Sequence, residues 1–245
     1  MTGTYRITNQ NIQITSIYGD IHERCMAFRV DAKPDYKIAT TGADIDAQWK
    51  KLMNQDMAEQ PPIRSFSEAY METRAIFDNI AELMLRFNTL VLHGSAVATK
   101  GQGFLFLSKR NMLKAFFAHL WANSDIDGVS VLLNNDTSMI YLSETETTVY
   151  SVPWYSGRAV VGNQSAPLKA ICLLESAKKN HINQLDFHTS HSVLLHHSFS
   201  PTGEYARFQR LELINRLLKS VEMYRFECNM DNEAVQIGFN MMNRN

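Results

Sequence analysis

Apolar and polar residues alternate in short bursts over the first forty positions, a pattern that predicts a small β-structure. The bursts are Ile12–Ile14, Met26–Val30 and Tyr36–Ile38. Turn-forming residues at 18–20 and 32–35 separate them. A segment with two adjacent prolines, residues 54–65, then predicts a loop or linker. We therefore expect a small β-rich subdomain over 1–60 and a core domain over 61–245.

The hydrophobic pattern changes period in the rest of the chain. Apolar residues recurring every three or four positions predict a helix over Ser67–Phe87. An apolar strand pattern over Thr89–Ala98, a hairpin turn at Gly101–Gly103 and a second strand over Phe104–Leu107 follow, and then a helix over Leu113–Trp121. Further strands are expected at 129–133, 139–142, 149–152 and 168–174, and further helices at 211–218 and 232–242. The fold class predicted is α/β, a core of mixed β-sheet and helices with the β-rich subdomain at its N-terminal side.

Composition and charge narrow the range of functions. Hydrophobic residues make up 45% of the 245 residues, and the formal net charge is −1. This balance gives no electrostatic reason to expect nucleic acid or an anionic membrane as a partner. No apolar run reaches the roughly 18 residues of a membrane span. The three cysteines are far apart, and the first residues lack a secretory signal, so the sequence predicts free thiols and a cytoplasmic location.

The segment from Leu105 to Phe116, LFLSKRNMLKAF, lies between a predicted strand and a predicted helix. Strand–loop–helix is the setting of a phosphate-binding loop, in which glycines let backbone N–H groups surround phosphate oxygens. In such a loop a lysine reaches the terminal phosphates and a hydroxyl holds Mg²⁺. Of these features this segment contains the lysine, Lys114, and its identity as a phosphate loop depends on the flanking sequence.

Several flanking motifs resemble those of one kinase-like family, in the same order. Residues 92–97, LHGSAV, are similar to the family's LHASAV, and residues 105–121 align without a gap with its LFSGPSGTGKSTHTRLW. Further likenesses are LNND at 133–136, VPWYSGR at 152–158, APLKAICLLE at 166–175 and ECNMDNEA at 227–234. The family includes the serine kinase of the phosphocarrier protein HPr and phosphoenolpyruvate carboxykinase. The resemblance implies an HPr kinase-like P-loop core.

The same alignment implies that the parts of a phosphate site have been lost. Ser108, Asn111 and Leu113 stand at glycine positions, where side chains obstruct the close approach of backbone to nucleotide. Ala115 replaces the hydroxyl that would hold Mg²⁺. Asn135 stands where the family's kinases have the aspartate general base, and an amide cannot act as a base at neutral pH. Asp136, the second acidic position, is retained.

Some residues suited to chemistry remain. The resemblance places His93 near the cleft, where it would serve a catalytic role or be a buried, hydrogen-bonded histidine. Lys109, Arg110 and Lys114, with Arg158 if its loop is retained, form a basic cluster that could hold a phosphate or carboxylate. The alternative for that cluster is a solvated basic loop. If the protein is catalytic, His93 and Asp136 are the candidate acid and base.

The later histidines are the other candidate for chemistry. They are His181, His188, His191, His196 and His197. Their spacing gives no clear fourth ligand beside Asp186, so we interpret them as structural and expect no metal site. No cofactor is expected unless the protein is an active kinase, which would need ATP and Mg²⁺.

The leading hypothesis is a pseudokinase, a kinase-fold protein that has lost phosphoryl transfer and binds a peptide or protein partner. The resemblance includes kinases that act on precursor peptides of ribosomally made natural products, so a peptide modification pathway is the expected setting. The alternative is an active, atypical serine kinase of a peptide or protein. A third hypothesis is a structural subunit of a homo-oligomer. Nucleotide binding separates these hypotheses best.

Overall fold

The computed structural model describes residues 1–56, 66–124, 126, 128–153 and 162–244, with the backbone alone at 54–56 and Asn111. Two compact units are present, Met1–Leu83 and Met84–Asn245. Both contain helices and strands, so the α/β class is confirmed. The predicted linker at 54–65 lies mostly outside the described residues. Within the described part of the chain, no helix has the length and apolar character that crossing a bilayer requires.

The first unit has a three-stranded sheet and three helices. The strands are β1 (Thr2–Ile7), β2 (Gln10–Thr15) and β3 (Tyr36–Ala39), with β2 antiparallel to β1 and parallel to β3. The helices are α1 (Asp20–Arg24), α2 (Gly42–Asp56) and α3 (Glu68–Leu85), the last of which ends just beyond the unit. The strand expected at Met26–Val30 is wrong, because Met26–Phe28 forms a 3₁₀ turn. Helix α2 was not predicted, although Ile45 and Leu52 of α2 are buried and pack with Met71 of α3.

The second unit is built on a nine-stranded mixed sheet. Its strands are β4 (Thr89–Leu92), β5 (Ser95–Thr99), β6 (Gln102–Leu107), β7 (Ser130–Asn134), β8 (Ser138–Leu142), β9 (Thr147–Tyr150), β10 (Ser165–Ser176), β11 (His181–Gln184) and β12 (Glu222–Cys228). Their order is β4-β8-β9-β10-β6-β5-β7, with β12 pairing β10 and β11 pairing β12. Strand β10 runs parallel to both β6 and β12. The strands predicted at 104–107, 129–133, 139–142, 149–152 and 168–174 are confirmed. The single strand expected over Thr89–Ala98 is wrong, because His93 and Gly94 separate it into β4 and β5, which pair with different strands. Strands β11 and β12 were not predicted.

Four helices of the described chain pack with this sheet, and successive side chains of β6 enter the buried clusters on its two faces. The helices are α4 (Asn111–Ala122), α5 (Phe187–His197), α6 (Glu204–Ser220) and α7 (Asn232–Met242). Leu105 and Leu107 of β6 belong to a buried cluster with α6. Phe104 and Phe106 belong to the cluster containing α4 and α7. This period of two explains why β6 is apolar throughout, since both of its faces are covered.

Candidate functional site

The candidate site lies at the edge of the sheet where β6 ends. Strand β5 is antiparallel to β6 and places Ser95 opposite Phe106, and β7 is antiparallel to β5 and places Asn134 opposite Ala96. The residues after β7 therefore lie at the same edge as the end of β6. The parallel strand β10 also ends there. Ligands of open α/β sheets bind at such carboxyl-terminal edges.

The connection between β6 and α4 is three residues long, because α4 begins at Asn111. The backbone N–H of Leu113 donates to the Arg110 carbonyl at 3.0 Å, which closes the first turn of the helix. A loop surrounding phosphate needs backbone positions with positive φ. The positive-φ residues of the described chain all lie outside 105–116. The three positions before Lys114 are thus helical and do not form a phosphate-wrapping loop.

Lys114 is buried and ion-paired. Its side chain is 1% exposed, and its Nζ lies 2.6 Å from Oδ1 of Asp136, whose side chain is 37% exposed. Burying an ammonium group requires an opposite charge at close range. Asp136 therefore supplies the negative charge that compensates the buried ammonium group of Lys114.

Asn135 lies beside this pair and is also buried. Its backbone carbonyl accepts a hydrogen bond from the Ser95 hydroxyl. Its side-chain Oδ1 is buried and has no hydrogen-bond partner among the described residues. The neighbouring Asn134 differs, because its amide donates to Ser138 and to the Tyr150 carbonyl and its Oδ1 accepts from the Val152 N–H. An amide at position 135 offers no titratable group at neutral pH.

Two histidines meet at the end of β4. The backbone N–H of His93 donates to the His197 carbonyl at 2.7 Å, which ties the end of α5 to the sheet. The His93 side chain is exposed, whereas that of His197 is buried. Burial, and after it positive charge from His196, Lys114, His93 and Lys109, together lower the pKa of His197 to about 4. His197 is therefore neutral at physiological pH, and it belongs to the site.

The sequence led us to interpret His197, like the other late histidines, as structural and not as a metal ligand. Its role at the site depends on α5, which was not predicted. A local signal for that helix exists, because Asp186 caps it by accepting from the Thr189 N–H at 2.9 Å. Among the described residues, no three His, Cys, Asp or Glu side chains are grouped so that they could hold a metal ion.

Lys109 and Arg110 are exposed at the start of α4. They border a cavity of about 350 Å³ between this helix and the end of β10. The cavity is lined by Ser108, Lys109, Arg110, Leu113, Leu173, Leu174, Glu175 and Ser176. Arg158, the remaining member of the predicted basic cluster, lies outside the described residues. The structure thus brings together Lys114 and Asp136, and it places Lys109 and Arg110 at the cavity.

The fold and site define a mixed α/β protein with a strand–helix junction of the kind that phosphate loops occupy. No protein-family model matches the sequence, and no curated protein matches it. A weak structural neighbour is the Hpr(Ser) kinase/phosphatase from Coxiella burnetii, at 8% sequence identity and a TM-score of 0.35. The match covers 62% of this chain and 94% of that one. A likeness of this degree carries no argument about function.

Proposed function

We propose that this chain is a kinase-fold protein without phosphoryl transfer that binds a peptide or protein partner. The observation that supports the loss of transfer is the pairing of buried Lys114 with Asp136 at 2.6 Å. A lysine that neutralises a carboxylate of its own chain is not available to the phosphates of a nucleotide. The helical start of α4 at Asn111 supports the same proposal, because it removes the backbone cradle.

Two further positions favour this proposal. The Ala115 side chain has no oxygen with which to hold Mg²⁺, and the Asn135 amide cannot act as a base for the proton of a serine hydroxyl. Three separate parts of a phosphoryl-transfer site are therefore missing together. Exposed basic and apolar side chains at the start of α4 remain, and these are suited to binding a polypeptide.

Calorimetric titration with ATP and with GTP, each with and without Mg²⁺, tests the loss of transfer. We expect no saturable heat from any of the four titrations. Saturable binding of ATP with Mg²⁺ that is lost in Lys114→Ala would contradict the proposal and support the active serine kinase. In that case mass spectrometry of peptides incubated with the protein and ATP would detect phosphoserine. Lys219→Ala is the control, since Lys219 is an exposed lysine of α6 outside the candidate site.

A further inference from the structure

Helix α4 carries an apolar stripe on its outer face. Met112 is 86% exposed and Phe116 is 56% exposed. Leu120 continues the same spacing of four residues, and Leu113 lies beside them; both are partly buried against the core. Residues four apart lie on one face of a helix. Adjacent large apolar side chains left in solvent are typical of an interaction surface.

The N-terminal end of this stripe is positively charged. Lys109 and Arg110 are exposed immediately before the helix, and the α4 sequence NMLKAFFAHLWA contains no acidic residue. No side chain caps the N-terminus of α4, so its partial positive charge adds to that of the two side chains. The acidic residue lining the adjacent cavity is Glu175, whose Oε1 lies 3.6 Å from Nε of Arg225.

The cavity of about 350 Å³ adjoins the apolar stripe of α4, because Leu113 lines it. Leu113, Leu173 and Leu174 form its apolar wall, and Lys109 and Arg110 stand at its border. Its volume of about 350 Å³ accommodates a large apolar side chain. Apolar anchors flanked by opposite charges are a common arrangement in peptide recognition.

We propose that the outer face of α4 binds an acidic segment of a partner protein. Apolar side chains of that segment pack on Met112 and Phe116 and enter the cavity beside Leu113, while its Asp or Glu side chains pair with Lys109 and Arg110. This inference rests on the proposed function and specifies the chemistry of its partner. The positive charge of the rim selects an acidic segment over a basic one.

A peptide array tests the inference with the full chain. One series pairs Asp and Glu with Leu, Phe and Trp, and matched series replace the acidic residues by Lys or by Ser. We expect retention on the acidic series alone, with weaker binding in high salt because the rim is solvent-exposed. The tightest acidic peptide is then labelled, and its affinity is measured by fluorescence anisotropy.

Paired variants locate the surface. We expect Lys109→Glu/Arg110→Glu and Met112→Ser/Phe116→Ser each to weaken binding at least about tenfold. The matched controls are Lys33→Glu/Lys37→Glu, an equal charge change in the other unit, and Phe208→Ser, an exposed phenylalanine on α6. Circular dichroism of every variant verifies folding. Binding that does not prefer acidic peptides, or that is equally weakened by the controls, would overturn the inference.

The same preparation is titrated with ATP and Mg²⁺. Tight nucleotide binding would overturn the proposed loss of phosphoryl transfer, whether or not the acidic peptides bind. Absence of both nucleotide and acidic-peptide binding would overturn the α4 surface and leave the loss of transfer intact.

Discussion

Nζ of Lys114 and Oδ1 of Asp136 lie 2.6 Å apart at the edge of the sheet where β6 ends. The two residues come from different parts of the chain, one from the first turn of α4 and the other from the turn after β7. The ion pair therefore fastens α4 to the turn that follows β7, the strand on the far side of β5.

Removing the partner of a buried charge is strongly destabilising. We expect Asp136→Ala to lower the free energy of unfolding by about 3 kcal/mol, near the lower end for buried pairs because Asp136 is 37% exposed. Urea denaturation measures the change. The double variant Lys114→Met/Asp136→Ala removes both charges and is expected to recover most of the loss. A double variant no more stable than Asp136→Ala would show that the ion pair is not the cause.

The His197 side chain makes stability depend on pH. Its pKa is lowered from 6.5 to about 4 in the folded protein, first by burial and then by the nearby positive charges. The unfolded chain therefore binds the proton at a higher pH than the folded one, so the stabilisation is complete above pH 6.5 and is lost as the pH falls towards 4. The loss across this window is at most about 3 kcal/mol.

Urea denaturation across this pH window measures the effect of His197. His197→Asn is expected to flatten the profile, whereas His188→Asn on the exposed side of the same helix is expected to leave it unchanged. Part of the slope remains in every variant, because burial also lowers the pKa of His22 in the first unit. An unchanged profile in His197→Asn would contradict the assignment.

Local patterns predicted the elements around the site better than the site itself. The apolar run of β6 and the spacing of Phe117 and Trp121 on α4 each follow from one stretch of sequence, and both elements are present. The turn before β6 also follows from its residues, since Lys100 and Gly101 both have positive φ, as in a two-residue hairpin. Hydrophobic periodicity and turn-forming residues depend on a few neighbouring positions, so they can be recognised in the sequence alone.

The contacts of the site depend on pairing between distant strands. Asp136 reaches Lys114 because β5 lies between β6 and β7, and His197 reaches His93 because α5 ends against β4. Neither relationship leaves a local pattern. The start of α4 was also not predicted correctly, because the resemblance implied a degenerate loop immediately before Lys114. In the structure the helix already begins at Asn111. Asn111, Met112 and Leu113 include no glycine, so nothing in this stretch disfavours helix.

The first unit depends on a buried carboxylate. Glu72 is 1% exposed and accepts hydrogen bonds from the Ile17 and Tyr18 N–H groups at 2.6 and 2.8 Å and from the Thr40 hydroxyl at 2.5 Å. Glu72→Ala leaves these donors unsatisfied, and we expect it to lower stability by at least about 3 kcal/mol. Denaturation followed by tryptophan fluorescence measures the loss. Glu68→Ala, at an exposed glutamate of the same helix, is the control and is expected to change stability little.

Restoring the residues of a phosphate loop is expected not to restore nucleotide binding. The variant Ser108→Gly/Asn111→Gly/Leu113→Gly/Ala115→Ser regains the glycines and the hydroxyl, but Lys114 keeps its ion pair with Asp136. The two glycines within the helix are also expected to cost about 1 kcal/mol each. Met112→Gly, in the same turn, controls for that helical cost.

Calorimetry with ATP and Mg²⁺ measures nucleotide binding by the restored variant, and urea denaturation measures its stability. We expect no saturable binding together with lower stability. Saturable binding would mean that the loop sequence alone excludes the nucleotide. Binding that appears only after Asp136→Ala is added would instead identify the ion pair as the group that excludes it.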